Sequence, residues 1–331
     1  MEQRSLGKTV HSLSAIGLGC VTFGREIDEN ASYQILDHAT ENGITWLDTA
    51  EGYGGGNARQ YRQQHLGIDD VREVSEEMSS SELIIGRWLR SRGCRDRVTI
   101  CTKVSTGSSP ENIRRALRAS LERLQIETVD IYELHSYDPK VPIDETLGAL
   151  SGTIADGLVR VIGCSNFAAD QLHAALQASS RAGLARFEII QPPYSMAAPS
   201  AREDLFPLCH EEQLAVTSYS PLAAGFLSGK YSSGESGIPK GSRFDVIPGH
   251  APIYFSDQNF RMLDRLRAKA EKLGVPMVRL AMAWAMAHPD VTSVIVGARK
   301  IDHVDNALAA YRMKLDADLL AEMTSWTTPQ A

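Results

Sequence analysis

Asp48, Tyr53, Lys103 and His135 are the four side chains of this 331-residue sequence whose types, taken together, point to proton transfer. A phenol titrates near about 10 and is a reluctant acid at neutral pH. An ammonium a few ångströms away favours phenolate, lowers that value and eases proton transfer in either direction. Asp48 is suited to hold Lys103 and balance its charge. His135 is suited to hydrogen-bond a carbonyl oxygen and help polarise it. None of the four supplies hydride, so a reduction at this site needs a cofactor. Singly, each has a plainer explanation: a lysine paired with a surface acid, a structural histidine, an aspartate capping a turn, a loop aromatic between Gly52 and Gly54. Their joint placement at the ends of three predicted strands and in one adjoining loop sets them apart.

Those strands are apolar runs that alternate with helix-period segments: Ala15–Gly19, Ile44–Asp48, Val98–Lys103, Val129–His135, Val159–Ser165, Phe187–Gln191, Leu214–Ser220 and Thr292–Gly297. Most are too continuously apolar for a sheet with one wet face, as expected of parallel strands covered on both sides. Between them, Ser109-Pro110-Glu111 supplies a cap, a first-turn proline and an acid ahead of the stripe Ile113, Ala116, Leu117, Leu121 and Leu124. Asp144 opens another helix, with Gly157 placed to end it; a third carries Phe260, Leu263, Leu266, Ala270 and Leu273 and stops at Gly274. Eight strands with helical crossovers predict an α/β fold of the (β/α)8 TIM-barrel type, with an open doubly wound sheet as the rival. The whole chain, 1–331, reads as a single barrel domain. Met1–Leu13 is expected to be a hairpin over the barrel floor. Gly54–Ser79 reads as an inserted loop, either a substrate-side wall or a solvated excursion, and Gly225–Phe255 as a cofactor and substrate loop. In such a barrel the strand ends converge on one mouth. There Asp48, Lys103 and His135 meet Ser165-Asn166, Gln191 and Tyr219-Ser220.

The segments Ala15-Ile16-Gly17-Leu18-Gly19, Leu47-Asp48-Thr49-Ala50-Glu51-Gly52-Tyr53, Thr102-Lys103-Val104, Leu134-His135, Ile162-Gly163-Cys164-Ser165-Asn166-Phe167, Gln191-Pro192-Pro193-Tyr194 and Ser218-Tyr219-Ser220-Pro221-Leu222 resemble aldo-keto reductase motifs in family order. The resemblance runs from about Leu6 to Ala310 and lapses mainly over Gly54–Ser79. It is nearest to the bacterial aldo/keto reductase and channel β-subunit-like branch. It implies Tyr53 as proton donor supported by Asp48, Lys103 and His135, in a reversible NADPH-dependent reduction of aldehydes or ketones. It also implies that Ser165, Asn166 and Gln191 hold the nicotinamide carboxamide and that Tyr219 stacks on the ring, with Ser220 and Leu222 beside it. Gly17-x-Gly19 lacks the third glycine of a dinucleotide fingerprint, since Thr22 stands there; the glycines are expected to let backbone pass close to nicotinamide. Gly225-Phe226-Leu227-Ser228-Gly229-Lys230-Tyr231 resembles the family's cofactor loop, so Lys230 and Arg243 are expected at the pyrophosphate. Gly297-Ala298-Arg299 leads into a helix start, a good anion site, and Arg299 there favours NADPH over NADH. One departure stands out. Where the nearest group often has Gln, Glu and Asn after Gly297, this chain has His303, Asn306 and Ala307; Asp305-Asn306 shifted by one residue is the expected substitute.

Composition narrows the alternatives. A formal net charge of −7 argues against nucleic acid or anionic membrane as the main partner. The five cysteines, Cys20, Cys94, Cys101, Cys164 and Cys209, are scattered without C-x-x-C, which suits reduced thiols. No apolar stretch follows the first residues and none approaches the roughly 18 residues of a membrane span, so the cytoplasm is the expected compartment. The nine histidines never occur as H-x-H or H-x-x-x-H, and no metal is expected. Cys101 shares a strand face with Lys103 but reads as a small buried residue rather than a nucleophile. The expected partner is a small-molecule carbonyl substrate, with no oligomer indicated. The alternative function is a catalytically weak, cofactor-sensing partner protein of the channel β-subunit kind.

Overall fold

The computed structural model describes residues 1–68, 72–232, 237–247, 249 and 251–327. The chain starts with an antiparallel hairpin, β1 (Gln3–Ser5) with β2 (Ser12–Ser14). Eight parallel strands follow: β3 (Ile16–Gly19), β4 (Trp46–Asp48), β5 (Thr99–Val104), β6 (Val129–Leu134), β7 (Val159–Ser165), β8 (Ile189–Gln191), β9 (Ala215–Ser218) and β10 (Ser293–Gly297). Each pairs with the next, and β10 returns to β3 in a register running from Val294↔Ile16 to Gly297↔Gly19. The sheet is therefore a closed barrel, and the open-sheet alternative falls away. Helices cover its outside, with the predicted signals in place. Ser109 accepts the Asn112 N–H and Pro110 opens the Pro110–Leu124 helix. Gly157 (φ 73°) and Gly274 (φ 66°) take the left-handed conformation just past the helices ending at Ala155 and Leu273, where a side chain would be strained.

Strand alternation explains how this barrel builds a site. Trp46, Cys101, Ile131, Val161, Ile189, Ala215 and Ile295 point to the barrel axis and pack with Leu6 and Leu13 of the hairpin, which plugs the floor. Trp46 fits only because a Cβ at Gly17 would stand 2.1 Å from its ring. At Gly19 the missing side chain's place lies 2.9 Å from a methyl of Ile295. Packing inside the barrel thus accounts for both glycines, a reason sequence reading had not given. Because side chains alternate, the residues two positions further along β4, β5, β6 and β8 share the inward face: Asp48, Lys103, Glu133 and Gln191. A polar layer lies directly above an apolar one.

The two long segments carry more structure than expected of loops. Gly54–Ser79 includes a helix, Gly55–Leu66. It lacks an apolar stripe, so periodicity could not reveal it. What fastens it is an ion pair, Arg62 with Glu73, whose side chains are only 2% and 3% exposed. Residues 69–71 of the segment lie outside those described. Its returning arm hydrogen-bonds Arg25 through Val74 N–H (3.2 Å), and Arg72 donates to the Asp245 carbonyl (2.9 Å). The insertion therefore lies against the barrel mouth, not away from it. In 225–255, where 233–236, 248 and 250 lie outside the described residues, an aromatic cluster does the fastening: Phe226, Tyr231, Phe244 and Phe255 meet at centroid distances of 4.6–5.8 Å.

Candidate active site

At the centre of the polar layer, the Lys103 ammonium bonds an Asp48 carboxylate oxygen and donates to the Thr49 carbonyl at 2.9 Å. The same Asp48 oxygen accepts from Gln191 Nε2 at 2.9 Å. Beneath them lies an acid that sequence reading passed over. Glu133 is wholly buried, its Oε2 being 3.3 Å from Gln191 Nε2 and 4.0 Å from Lys103 Nζ. It had a signal: it is the acid within Val-Asp-Ile-Tyr-Glu-Leu two residues before His135, and alternation turns both to the same side. Burial first, then Asp48, pushes its carboxyl up to about 8, against the opposing pull of Lys103. Asp48, Cys101 and Glu133 bring ligand-type atoms within 4.8 Å of one another, but the Lys103 ammonium already answers their charge.

Tyr53 lies just above. Its ring centroid is 5.4 Å from Lys103 Nζ and 5.4 Å from the His135 ring, which it meets edge to face at 78°. Thus the four residues picked from the sequence do lie together, although β6 ends at Leu134 and His135 stands one residue beyond it. The expected acidification of the phenol does not occur in this state. Burial outweighs Lys103 and pushes Tyr53 up to about 12, since the ammonium is largely committed to Asp48. No described residue hydrogen-bonds the hydroxyl. Burial, helped by Lys103, holds His135 down at about 3, so its imidazole is neutral. Its Nδ1 meets Ser105 Oγ at 2.6 Å. Glu51 in turn orders that loop by accepting from the Ser105 and Thr106 N–H groups at 2.5 and 2.9 Å. Ser105 and Glu51 are loop contributions that strand-end reasoning had no means to find.

On the neighbouring arc, Ser165 Oγ donates to the Gln191 carbonyl (2.8 Å), and Asn166 Nδ2 donates to the His135 carbonyl (2.8 Å) and Ser165 Oγ (3.1 Å). Tyr219 donates its hydroxyl to Asn166 Oδ1 at 2.8 Å. The hydrogens of this group are thus used within the protein. Asn166, Ser220, Ala223 and Ala224 all have φ between 49° and 57°. Such strain gathers where surrounding structure holds a loop for a purpose. Leu222 starts the turn after Ser220 and Gly225 (φ 92°) follows, with Lys230 Nζ 3.4 Å from where a Cβ would stand.

The basic residues lie around the rim. Lys230 and Arg299 are exposed, and Gly297 faces open space at the end of β10. Arg243 bonds Glu26 at 2.6 Å; Glu26 also pairs with Arg25 at 2.9 Å. Burial, then Arg25, brings Arg243 down to about 10, Arg299 adding to the effect. His303 Nδ1 accepts the Arg299 N–H at 3.3 Å. The expected one-residue shift meets an obstacle: Asn306 is bound to Arg279 (2.7 Å) and Asp305 to His38 (2.7 Å), so both side chains already have protein partners.

A closed barrel with this strand-end constellation defines a class, and comparison with known proteins agrees. The Aldo/keto reductase family profile matches residues 15–327. The chain belongs to the aldo/keto reductase family. It is 31% identical to the uncharacterized oxidoreductase YrpG of Bacillus subtilis (strain 168), over 97% of this chain and 94% of that one. It is also 31% identical to a probable voltage-gated potassium channel subunit beta of Arabidopsis thaliana, over 94% of this chain and 91% of the other. Protein tas of Escherichia coli (strain K12) is 29% identical, over 94% and 93%. The fold and the family support an oxidoreductase. Among the described residues no helix is long and apolar enough to cross a membrane.

Proposed function

We propose that the chain is an NADPH-dependent reductase of aldehydes and ketones, working reversibly, with Tyr53 as proton donor and Asp48, Lys103 and His135 in support. The observation that carries this reading is the Tyr53 ring, set between the Lys103 ammonium and a neutral imidazole, with its hydroxyl free of any described protein partner. A phenol at about 12 is still acid enough for the task. The developing alkoxide is a stronger base than phenolate, so proton transfer runs downhill, and Lys103 stabilises the phenolate left behind. In the tautomer in which Nδ1 accepts from Ser105, His135 would present its Nε2–H to the carbonyl oxygen.

The bound nicotinamide supplies the hydride. For its carboxamide, an NH2 donor, the side-chain oxygens of Ser165, Asn166 and Gln191 are a chemical match. Tyr219 would stack on the ring, with Gly19, Ser220, Leu222 and Gly225 beside it. Lys230, Arg243, Gly297 and Arg299 would serve the phosphates, with His303 toward the adenine and Asn306 available to it only on leaving Arg279. An excess of cations on the rim of a chain with net charge −7 favours the 2′-phosphate of NADPH. Five free, buried cysteines suit the reducing cytoplasm. There the chain, one barrel domain without a metal, would act on small carbonyl substrates.

The test follows NADPH absorbance with aldehydes and ketones for wild type and Tyr53→Phe. The expected loss is about 10²–10⁴-fold in kcat/KM. Equal rates would remove Tyr53 as the acid. A second reading, a cofactor-sensing partner protein, draws on the likeness to the Arabidopsis channel subunit. Tight NADPH binding without turnover, together with a stable protein complex, would favour it.

A further inference from the structure

Glu133 has no role in the proton transfer described above, yet it occupies the most guarded position in the barrel. Its Cα is in register with Lys103 on β5 and Gly163 on β7. A Cβ at Gly163 would stand 2.3 Å from a methyl of Ile189 and 3.2 Å from Glu133 Cγ, so that glycine makes room first for Ile189 and then for the acid's side chain. Oε2 accepts from Gln191; Oε1 is buried without a hydrogen-bond partner. The groups facing it are Asp48 from β4, Cys101 and Lys103 from β5, Cys164 from β7 and Gln191 from β8, with Tyr53 above. Only one of them, Lys103, is a cation.

We propose that Glu133 is a positioning residue of the active site: with Asp48 it takes the amide hydrogens of Gln191, and by holding or losing a proton it sets the charge beneath Tyr53. The first part follows from the bonds. Gln191 Nε2 donates to both carboxylates, at 2.9 and 3.3 Å, leaving its carbonyl oxygen without a bond to any described residue. That end of the side chain remains for a ligand's amide. The second part follows from charge. With both acids ionised, a floor closed to water would hold two negative charges against one ammonium, a costly arrangement. Glu133, without an ion-pair contact closer than 4.0 Å, is the one to keep its proton at neutral pH. Its ionisation on the alkaline side adds a negative charge below the phenol and makes formation of phenolate harder. Reduction then slows as pH rises through about 8.

This inference rests on the reductase reading for its kinetic readout, and a second readout does not. A group with a midpoint of about 8 passes from about nine-tenths to about one-tenth protonated between pH 7 and 9, so wild-type kcat/KM falls by up to about tenfold. In Glu133→Gln the ratio of the two rates shrinks to within about twofold. A variant that keeps the wild-type ratio overturns the charge role. NADPH binding, followed by fluorescence, is expected to be several-fold weaker in Glu133→Leu than in Glu133→Gln, which keeps an acceptor for Gln191. Equal binding overturns the orienting role. Infrared spectra of the protein alone are expected to show a carboxylic-acid C=O band at pH 7 that is lost at pH 9 and missing from Glu133→Gln. Absence of that band in wild type at pH 7 sinks the proton whether or not any carbonyl is reduced. If the band is present but no carbonyl turns over, the reductase reading fails and this one stands.

Discussion

On the floor of the barrel mouth, Asp48, Lys103, Glu133 and Gln191 come from four strands and touch one another, closed off from water. On the rim, Lys230 and Arg299 stand exposed on loops, and Arg243 reaches its carboxylate, Glu26, across from another loop. The floor is a nearly balanced set of charges held by strand register. The rim is an unbalanced set held by local turns. A buried ion pair owes its geometry to the scaffold, and removing one member leaves the other uncompensated. An exposed cation is already well solvated and gains most when an anion arrives. The two regions should therefore respond to mutation in different measurements.

Lys103→Met is the strongest attack on the floor. It removes the only cation that, among the described residues, faces the two buried carboxylates, so the variant is expected to lose about 3–5 kcal/mol of stability as well as its activity. The loss should be greatest at alkaline pH and recover partly on acidification, because protonating a carboxylate removes the unpaired charge. Urea melts at pH 5 and pH 8 measure both effects. A stability matching wild type at both would show that the floor is not a charge-balanced unit.

Arg299→Ala attacks the rim and should leave the melt within about 0.5 kcal/mol of wild type, as for most exposed sites. Its expected signature is selective: NADPH affinity falls by about 10–100-fold, the range for a hydrogen bond to a charged group, while NADH affinity barely moves. Equal losses for the two cofactors would take Arg299 away from the 2′-phosphate.

The same division decided what could be read in advance. Asp48, Lys103 and Gln191 were legible because the last residues of apolar runs must meet in a closed barrel, and period-two alternation says which ones face inward. Glu133 obeys the same alternation but lies inside β6, one step below the strand end, where an inward residue of a barrel is ordinarily apolar. Tyr53 was located correctly, but its acidity was not: proximity to Lys103 was visible in the pattern, whereas the competing effect of burial requires the packed structure. Ser105 and Glu51 act through loop backbone, which has no periodicity to read. The Gly55–Leu66 helix was hidden for a related reason, being secured by the Arg62–Glu73 pair in place of an apolar face.

That helix belongs to the insertion, which touches the 225–255 segment through Arg72 and Asp245. The contact is half-buried at most, with the carbonyl bond at 2.9 Å and the carboxylate at 3.8 Å. By the rule for surface pairs, Arg72→Ala should cost less than about 1 kcal/mol of global stability. Its effect should be local. Amide hydrogen exchange is expected to quicken in both 55–66 and 243–247, which share this contact, and to stay constant in β4, β5 and β6, which are buried in the barrel. Faster exchange in only one segment would mean that each is held by its own cluster, the ion pair on one side and the aromatic rings on the other. Faster exchange in both would make the insertion a brace for the rim, joining a region fixed by the barrel to one that is not.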